Sequence, residues 1–326
     1  MPLSPLPRLD KASARSRLGE SPRSLQRGVS GGELVRLRRG VYVGSAEWAG
    51  LNARNRYLLQ IEATQATASN RLVFSHESAA AIWGIPLVGS RSVLPSITAP
   101  SSGGRRSRHG VIRHSVDLRE EDIVERSGFV VTSPLRTAID LIASRPMMSG
   151  VVSLDHMLRE NRVFGLEKDE LWDYVDEFRP FRNVRRAVTV IDFATGMSGS
   201  PLESVSMVRF HDFGYVLPAQ QVRYLGAHGE EYLADFTWRD IAKRGLAVIG
   251  EADGRIKLED LEYLRGRTPE QALWEEKVRQ DELREQSSAF VRWGWDDAWQ
   301  GGPLIRKLDR AGVPRDRRVQ AWRAAR

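Results

Sequence analysis

The chain has 326 residues, 41% hydrophobic and 28% charged, with a formal net charge of +7 and no cysteine. That length suggests two or three domains at roughly 100–200 residues each. A disulfide framework and thiolate zinc sites are excluded, and no apolar run approaches the ~18 residues of a membrane helix, so a cytoplasmic protein without membrane contact is expected.

The positive charge is unevenly spread. Residues 1–40 carry nine Lys/Arg against three acids, and residues 301–326 carry eight against two. Arg105, Arg106, Arg108 and Arg113 surround a Gly-Ser loop. Basic ends on an otherwise acidic chain point to a polyanionic partner such as DNA.

Residues 1–45 read as a flexible arm and a winged-helix-like segment. Gly28-Val-Ser-Gly-Gly32 is a turn, and Glu33 to Val43 alternates apolar and basic residues. This predicts a small hairpin with Arg36, Arg38 and Arg39 on its wet side. Such groups either meet phosphates or simply charge an edge strand.

Residues 46–145 form a middle α/β domain. Ala49–Ser69 has helical spacing. Phe74 to Gly84 reads as strand, cap, helix and glycine stop. Strand-like runs at Val93–Pro100 and Val111–Val116 flank the Gly/Arg loop. Val130-Val-Thr-Ser133-Pro134 leads into a helix capped by Ser133. His76 and His114 are read as cap or packing residues. Residues 146–197 look like a helical connector, with a boundary at Thr195–Gly199.

Residues 198–300 read as helix, three strands, helix and strand, followed by a basic tail over 301–326. Ser200-Pro-Leu-Glu203 opens the first helix. Gln220–Leu225 is a strand, and Gln221 is a candidate to steady the site if it points inward. Tyr232-Leu-Ala-Asp235-Phe-Thr-Trp238 and Leu246-Ala-Val-Ile-Gly-Glu251-Ala-Asp253-Gly are two strands joined by a polar link. Both carry acid where a buried strand should be apolar. Glu251 and Asp253 are two apart, so on a strand they share a face, and Asp235 can join them from next door. Carboxylates so placed repel one another unless a cation or proton intervenes. Oxygen-only donors favour Mg²⁺ or Mn²⁺, with Asp235 and Glu251 as ligands. Asp253 completes the shell or makes an Asp-Gly turn. Glu203 caps its helix or faces the metal. Lys257 is an electrophile or a solvated lysine.

On those residues, 198–300 resembles the PD-(D/E)XK nuclease superfamily in its Vsr-like branch, with the trailing Phe290-Val-Arg-Trp-Gly-Trp also similar. The resemblance implies a restriction-endonuclease-like α/β domain with a mixed sheet, and catalytic roles for Glu203, Asp235, Glu251, Asp253 and Lys257. Asp253 stands where the superfamily usually has lysine. Residues 24–145 resemble the AbiEi-type antitoxin family through Arg-Arg-Gly40-Val-Tyr42-Val, Phe-Ser-His76-Glu-Ser-Ala-Ala, Trp83-Gly-Ile-Pro and Thr132-Ser-Pro-Leu-Arg136-Thr-Ala-Ile-Asp140-Leu. That implies a winged helix that binds DNA and represses transcription, with a cognate toxin as a possible partner. The chain as a whole is expected to be α/β (α+β overall). The expected activity is that of a metal-dependent DNA endonuclease. The alternative is a DNA-binding transcriptional regulator or antitoxin whose nuclease-like domain is inactive.

Overall fold

A computed structural model describes residues 6–17, 23–100, 110–159, 164–179, 181–239, 247–253 and 268–316. The fold is mixed α/β, with two compact units: Met1–Ser153 with Leu166–Ala187, and Leu154–Gly165 with Val188–Arg326. Segments 1–45 and 46–145 therefore lie within one unit, and residues 146–197 are divided between the two. The reason for the first is a shared core. Val41 and Val43 of the small N-terminal sheet pack on Leu59 and Ala63 of the helix Ala53–Thr67.

In the first unit, β1 (Asp10–Lys11), α1 (Ala12–Arg17), α2 (Arg23–Ser30), β2 (Leu34–Arg38) and β3 (Val41–Gly44) give a three-stranded sheet of order β1-β3-β2. Helices α3 (Ser45–Gly50) and α4 (Ala53–Thr67) follow. A second, five-stranded sheet is built from β4 (Val73–Phe74), β5 (Ser96–Ala99), β6 (Ile112–Ser115), β7 (Ile123–Arg126) and β8 (Phe129–Thr132), in the order β6-β5-β4-β8-β7. Two of its inner strands, β4 and β8, each feed a helix as the sequence predicts. β4 passes through Ser75 into α5 (His76–Trp83), which stops at Gly84 in the left-handed region. β8 passes through Ser133 into α6 (Pro134–Ser144), and Ser133 Oγ accepts the Arg136 N–H at 3.3 Å. The core holds Phe74, Ile82, Ile97 and Val131. Helices α7 (Met147–Leu158), α8 (Lys168–Phe178) and α9 (Val184–Phe193) come next in the chain.

The second unit has the predicted order of helix, three strands, helix and strand. These are α10 (Pro201–Asp212), β9 (Ala219–Leu225), β10 (Glu231–Trp238), β11 (Ala247–Ala252), α11 (Pro269–Glu285) and β12 (Ser287–Trp293). β9, β10 and β11 are antiparallel neighbours, and β12 runs parallel to β11, so the sheet is mixed. α12 (Trp295–Gln300) and α13 (Gly302–Arg310) follow. The expected basic tail is thus partly folded. Leu304 and Leu308 of α13 are fully buried, and Lys307 binds Asp297 at 2.7 Å.

An aromatic core lies beneath the sheet. Phe210 of α10 meets Phe236, Trp238 and Trp293 edge-on, with ring centroids 5.2, 5.2 and 5.7 Å away. Gly250 sits among these rings: a Cβ there would lie 2.7 Å from Trp293 Cη2 and 2.9 Å from Trp238 Cζ3. Neither indole can swing aside, because each N–H is bonded, to Ser206 Oγ and to the Val216 carbonyl. Gly250→Ala is expected to cost ~1–3 kcal/mol through overpacking. Urea denaturation checks this, and an unchanged midpoint would show that the rings yield.

Candidate active site

Backbone register builds the site. Phe236 pairs with Gly250 and Thr237 with Ile249, which sets Asp235 opposite Glu251 across β10 and β11. On the other side, Ala234 pairs with Val222 and Phe236 with Gln220, so Gln221 of β9 is opposite Asp235. Gln221, Asp235 and Glu251 therefore form a row across three strands.

Local hydrogen bonds fix the acids. Asp235 Oδ2 accepts the Ala252 N–H at 2.9 Å, and the Asp235 N–H leans on Glu251 Oε1 at 3.4 Å. Glu203 is 5% exposed and does two things. Its N–H is capped by Ser200 Oγ at 3.2 Å, while its Oε2 accepts from Gly199 N at 2.6 Å and from Gln221 Nε2 at 2.8 Å. The turn that delivers it is pinned from below. Buried Asp155 accepts from Thr195 N, Gly196 N, Ser198 Oγ and Ser204 Oγ. Residues 195–199, expected as a domain boundary, are a turn fastened to Asp155.

Burial and mutual repulsion raise these carboxyls. Asp235 is pushed up to about 7 by burial and by Glu203. Glu251 is pushed up to about 7 by burial and by Asp235, with Arg279 opposing. Glu203 is raised by burial, against the bonds from Gly199 and Ser200. The three acids thus act on one another through a poorly solvated space.

Arginines answer part of that charge. Arg279 of α11 donates to Glu251 Oε2 at 2.7 Å, to both oxygens of Glu276 at 3.0 Å, and to the Leu233 carbonyl at 3.0 Å. Arg292 of β12 binds Asp253 at 3.0 Å and Glu276 at 3.5 Å. A chain of ion pairs therefore runs Glu251–Arg279–Glu276–Arg292–Asp253. Asp253 does not complete a shell with Glu251. β11 ends at Ala252, and the Asp253 carboxylate turns to Arg292.

Among the described residues, no three His, Cys, Asp or Glu side chains are grouped to hold a metal ion. A pair of carboxylates remains, Asp235 and Glu251. That pair suits Mg²⁺, which keeps several waters and commonly takes one or two carboxylates. Asp235 Oδ2 and Glu251 Oε2 are already engaged, so a cation there would compete with Arg279 for Glu251.

The candidate DNA-binding arginines divide. Arg36 and Arg39 are exposed as expected. Arg38 is not on the wet side. The register of β2 on β3 shifts between Arg36 and Arg38, which turns Arg38 inward. It donates to Thr64 Oγ1, Thr67 Oγ1 and the Gly110 carbonyl at 3.0, 3.2 and 3.1 Å. Arg38→Ala is expected to destabilise the first unit by ~1–3 kcal/mol through these lost partners. Arg36→Ala is expected to leave stability within ~0.5 kcal/mol. Thermal melts of both variants check the contrast; equal losses would refute it. Arg105, Arg106 and Lys257 lie outside the described residues.

The sequence pattern did not reveal Arg279, Arg292 or Glu276. Arg279 and Glu276 sit three apart on a charged helix, a spacing that also fits a solvated face. Gln221 was ambiguous because Gln220 and Gln221 should alternate. A positive φ of 51° at Gln221 breaks the alternation, so Gln220 reaches Ser198 Oγ while Gln221 reaches Glu203.

No known family profile matches the chain. It is 30% identical over 115 residues to two uncharacterized proteins of Mycobacterium tuberculosis, from strains CDC 1551 / Oshkosh and H37Rv. Those matches cover 35% of this chain, and the chain spans only 41% of each relative's length. The crystal structure of the RV2827C protein from Mycobacterium tuberculosis is similar at a TM-score of 0.40 and 15% identity, over 68% of this chain and 84% of that one. A likeness of that degree bears on neither mechanism nor partner. Among the described residues, no helix is long and apolar enough to cross a membrane.

Proposed function

We propose that the second unit is a divalent-metal-dependent phosphodiesterase acting on DNA. The observation that carries this is the Asp235–Glu251 pair: two carboxylates set directly opposite on neighbouring strands, each raised by burial and a like-charged neighbour. The helix, three-strand, helix, strand order and the resemblance to PD-(D/E)XK nucleases support it. Asp235 and Glu251 would hold Mg²⁺ or Mn²⁺, which supplies charge for the scissile phosphate and an acidified water. Glu203 keeps Oε2 tied to Gly199 and Gln221, leaving Oε1 to take up a proton. Arg279 brings positive charge to Glu251, and Glu276 holds it in place. Trp295 and Trp299 of α12 stack at 6.1 Å and stay 40% and 39% exposed, a surface on which unpaired bases can lie.

A specific observation favours a second reading. Arg279 neutralises Glu251 and Arg292 neutralises Asp253 without any metal. In that case the unit is an inactive nuclease fold within a DNA-binding regulator or antitoxin, with a cognate toxin as its protein partner. Incubating supercoiled plasmid with the full chain and Mn²⁺ or Mg²⁺, against an EDTA control, separates the two. Metal-dependent nicks support the enzyme. Gel shifts in EDTA with no nicks in either metal support the regulator.

A further inference from the structure

The first unit carries a cavity of about 690 Å³ that is open to solvent on one side, within the roughly 300–1,000 Å³ usual for small-molecule sites. It is unrelated to the carboxylate row and shares no residue with it. One wall is a pair of histidines. His76 and His114 stack face to face, centroids 3.4 Å apart and 11° from parallel. Burial, with Arg136 adding to it, takes His76 down to about 3. Burial and His76 take His114 down to about 4. Both are therefore neutral rings at neutral pH. His76 also holds a backbone φ of 50°, a left-handed conformation that a non-glycine residue keeps only when its surroundings impose it.

Asp140 lines the same space and is 5% exposed. Its Oδ1 accepts from Arg136 Nε and Nη2, both at 2.9 Å. Its Oδ2 has no hydrogen-bond partner. The nearest candidate is His76 Nδ1 at 3.4 Å, but that nitrogen is already 3.0 Å from Ser75 Oγ. The Nε2 of His114 is likewise buried and without a partner. Leaving buried polar atoms unmatched is costly, and native structures rarely tolerate it without reason. A ligand bearing an N–H or O–H would satisfy Oδ2.

The remaining lining sets the other half of the ligand. Arg182 lines it from an exposed position and brings a positive charge, while Arg136 and Asp140 offset each other. Tyr174, Phe178 and Phe181 provide an aromatic, largely apolar wall. The site is thus cationic at one part, apolar along a side, and starved of a donor at Asp140.

We propose that this cavity binds a small organic anion with a planar ring that carries a hydrogen-bond donor. The donor meets Asp140 Oδ2, the ring lies along the aromatic wall, and the anionic group faces Arg182. Nucleoside monophosphates and aromatic hydroxy or amino acids share this chemistry.

Isothermal titration of the full chain with AMP, GMP, CMP and UMP in one arm, and with 4-hydroxybenzoate and anthranilate in the other, tests the proposal. One arm is expected to bind with Kd below about 1 mM, and the arm that binds identifies the source. Arg182→Ala, at an exposed position, is expected to weaken binding about tenfold, as loss of a charge-assisted contact does. Asp140→Asn is expected to weaken it at least as much. Ligand-induced shifts of the His114 ring signals by NMR give a readout that does not depend on the Asp140 variant folding. Absence of binding in both arms, or binding that Arg182→Ala leaves unchanged with no shift at His114, overturns it.

Discussion

Asp235→Asn is expected to lower the metal-dependent cleavage rate at least ~100-fold, more than outer-shell changes around a metal usually cost. The variant is a fair test because asparagine keeps the shape and an oxygen for the Ala252 N–H, the bond that now holds Asp235 at 2.9 Å. What it removes is the negative charge facing Glu251. Glu251→Gln should do the same, and in addition strip Arg279 of its buried partner. Asp253→Asn should change the rate by less than ~10-fold, because that carboxylate is already committed to Arg292. Initial rates of plasmid nicking at saturating Mn²⁺, with circular dichroism to confirm folding, check all three. Equal rates for wild type and Asp235→Asn would rule out the carboxylate pair as the reacting centre.

The second large effect is on stability. Asp235 and Glu251 both sit near 7, above their ordinary values of 3.8 and 4.5. A carboxyl raised in the folded state binds its proton more tightly there than in the unfolded chain. Its contribution is therefore harmless below about pH 4, costs stability as pH rises from about 4 to about 7, and levels off above that. The pair should therefore cost the folded chain stability across that window. Urea midpoints followed by tryptophan fluorescence should fall from pH 5 to pH 8 in wild type and fall less in Asp235→Asn. Added Mg²⁺ should raise the midpoint at pH 8, where both acids are charged, and do little at pH 5. A midpoint insensitive to Mg²⁺ at pH 8 would mean that Arg279 already meets the charge, which is the condition of the regulator.

Much of this arrangement was legible in the residues. Asp235 and Glu251 each interrupt an apolar, β-prone run, and only a short antiparallel link separates them, so their meeting follows from local pattern. The helix starts at Ser133-Pro134 and Ser200-Pro201 follow from capping chemistry alone. Three features were hidden for physical reasons. Arg279 reaches Glu251 from a helix 28 residues downstream, and its aim depends on how α11 crosses back to the sheet. Arg38 turns inward because one irregularity in β2 reverses the face its position in the sequence assigns. Gln221 joins the row only through a backbone angle that no composition advertises. Glu203 showed both of its readings in the sequence, and the structure shows its cap bond together with its electrostatic influence on Asp235.

The ion-pair chain has a consequence for α11 itself. This 17-residue helix buries only Ala272 and Leu283, so little oily surface secures it. Its grip on the sheet rests largely on Arg279 and Glu276, whose charges are mostly shielded from water and so feel dissolved ions far less than a surface pair does. The helix that carries the arginine is therefore fastened by a few sheltered charges rather than by packing, and how tightly Glu251 is held depends on those few contacts surviving together.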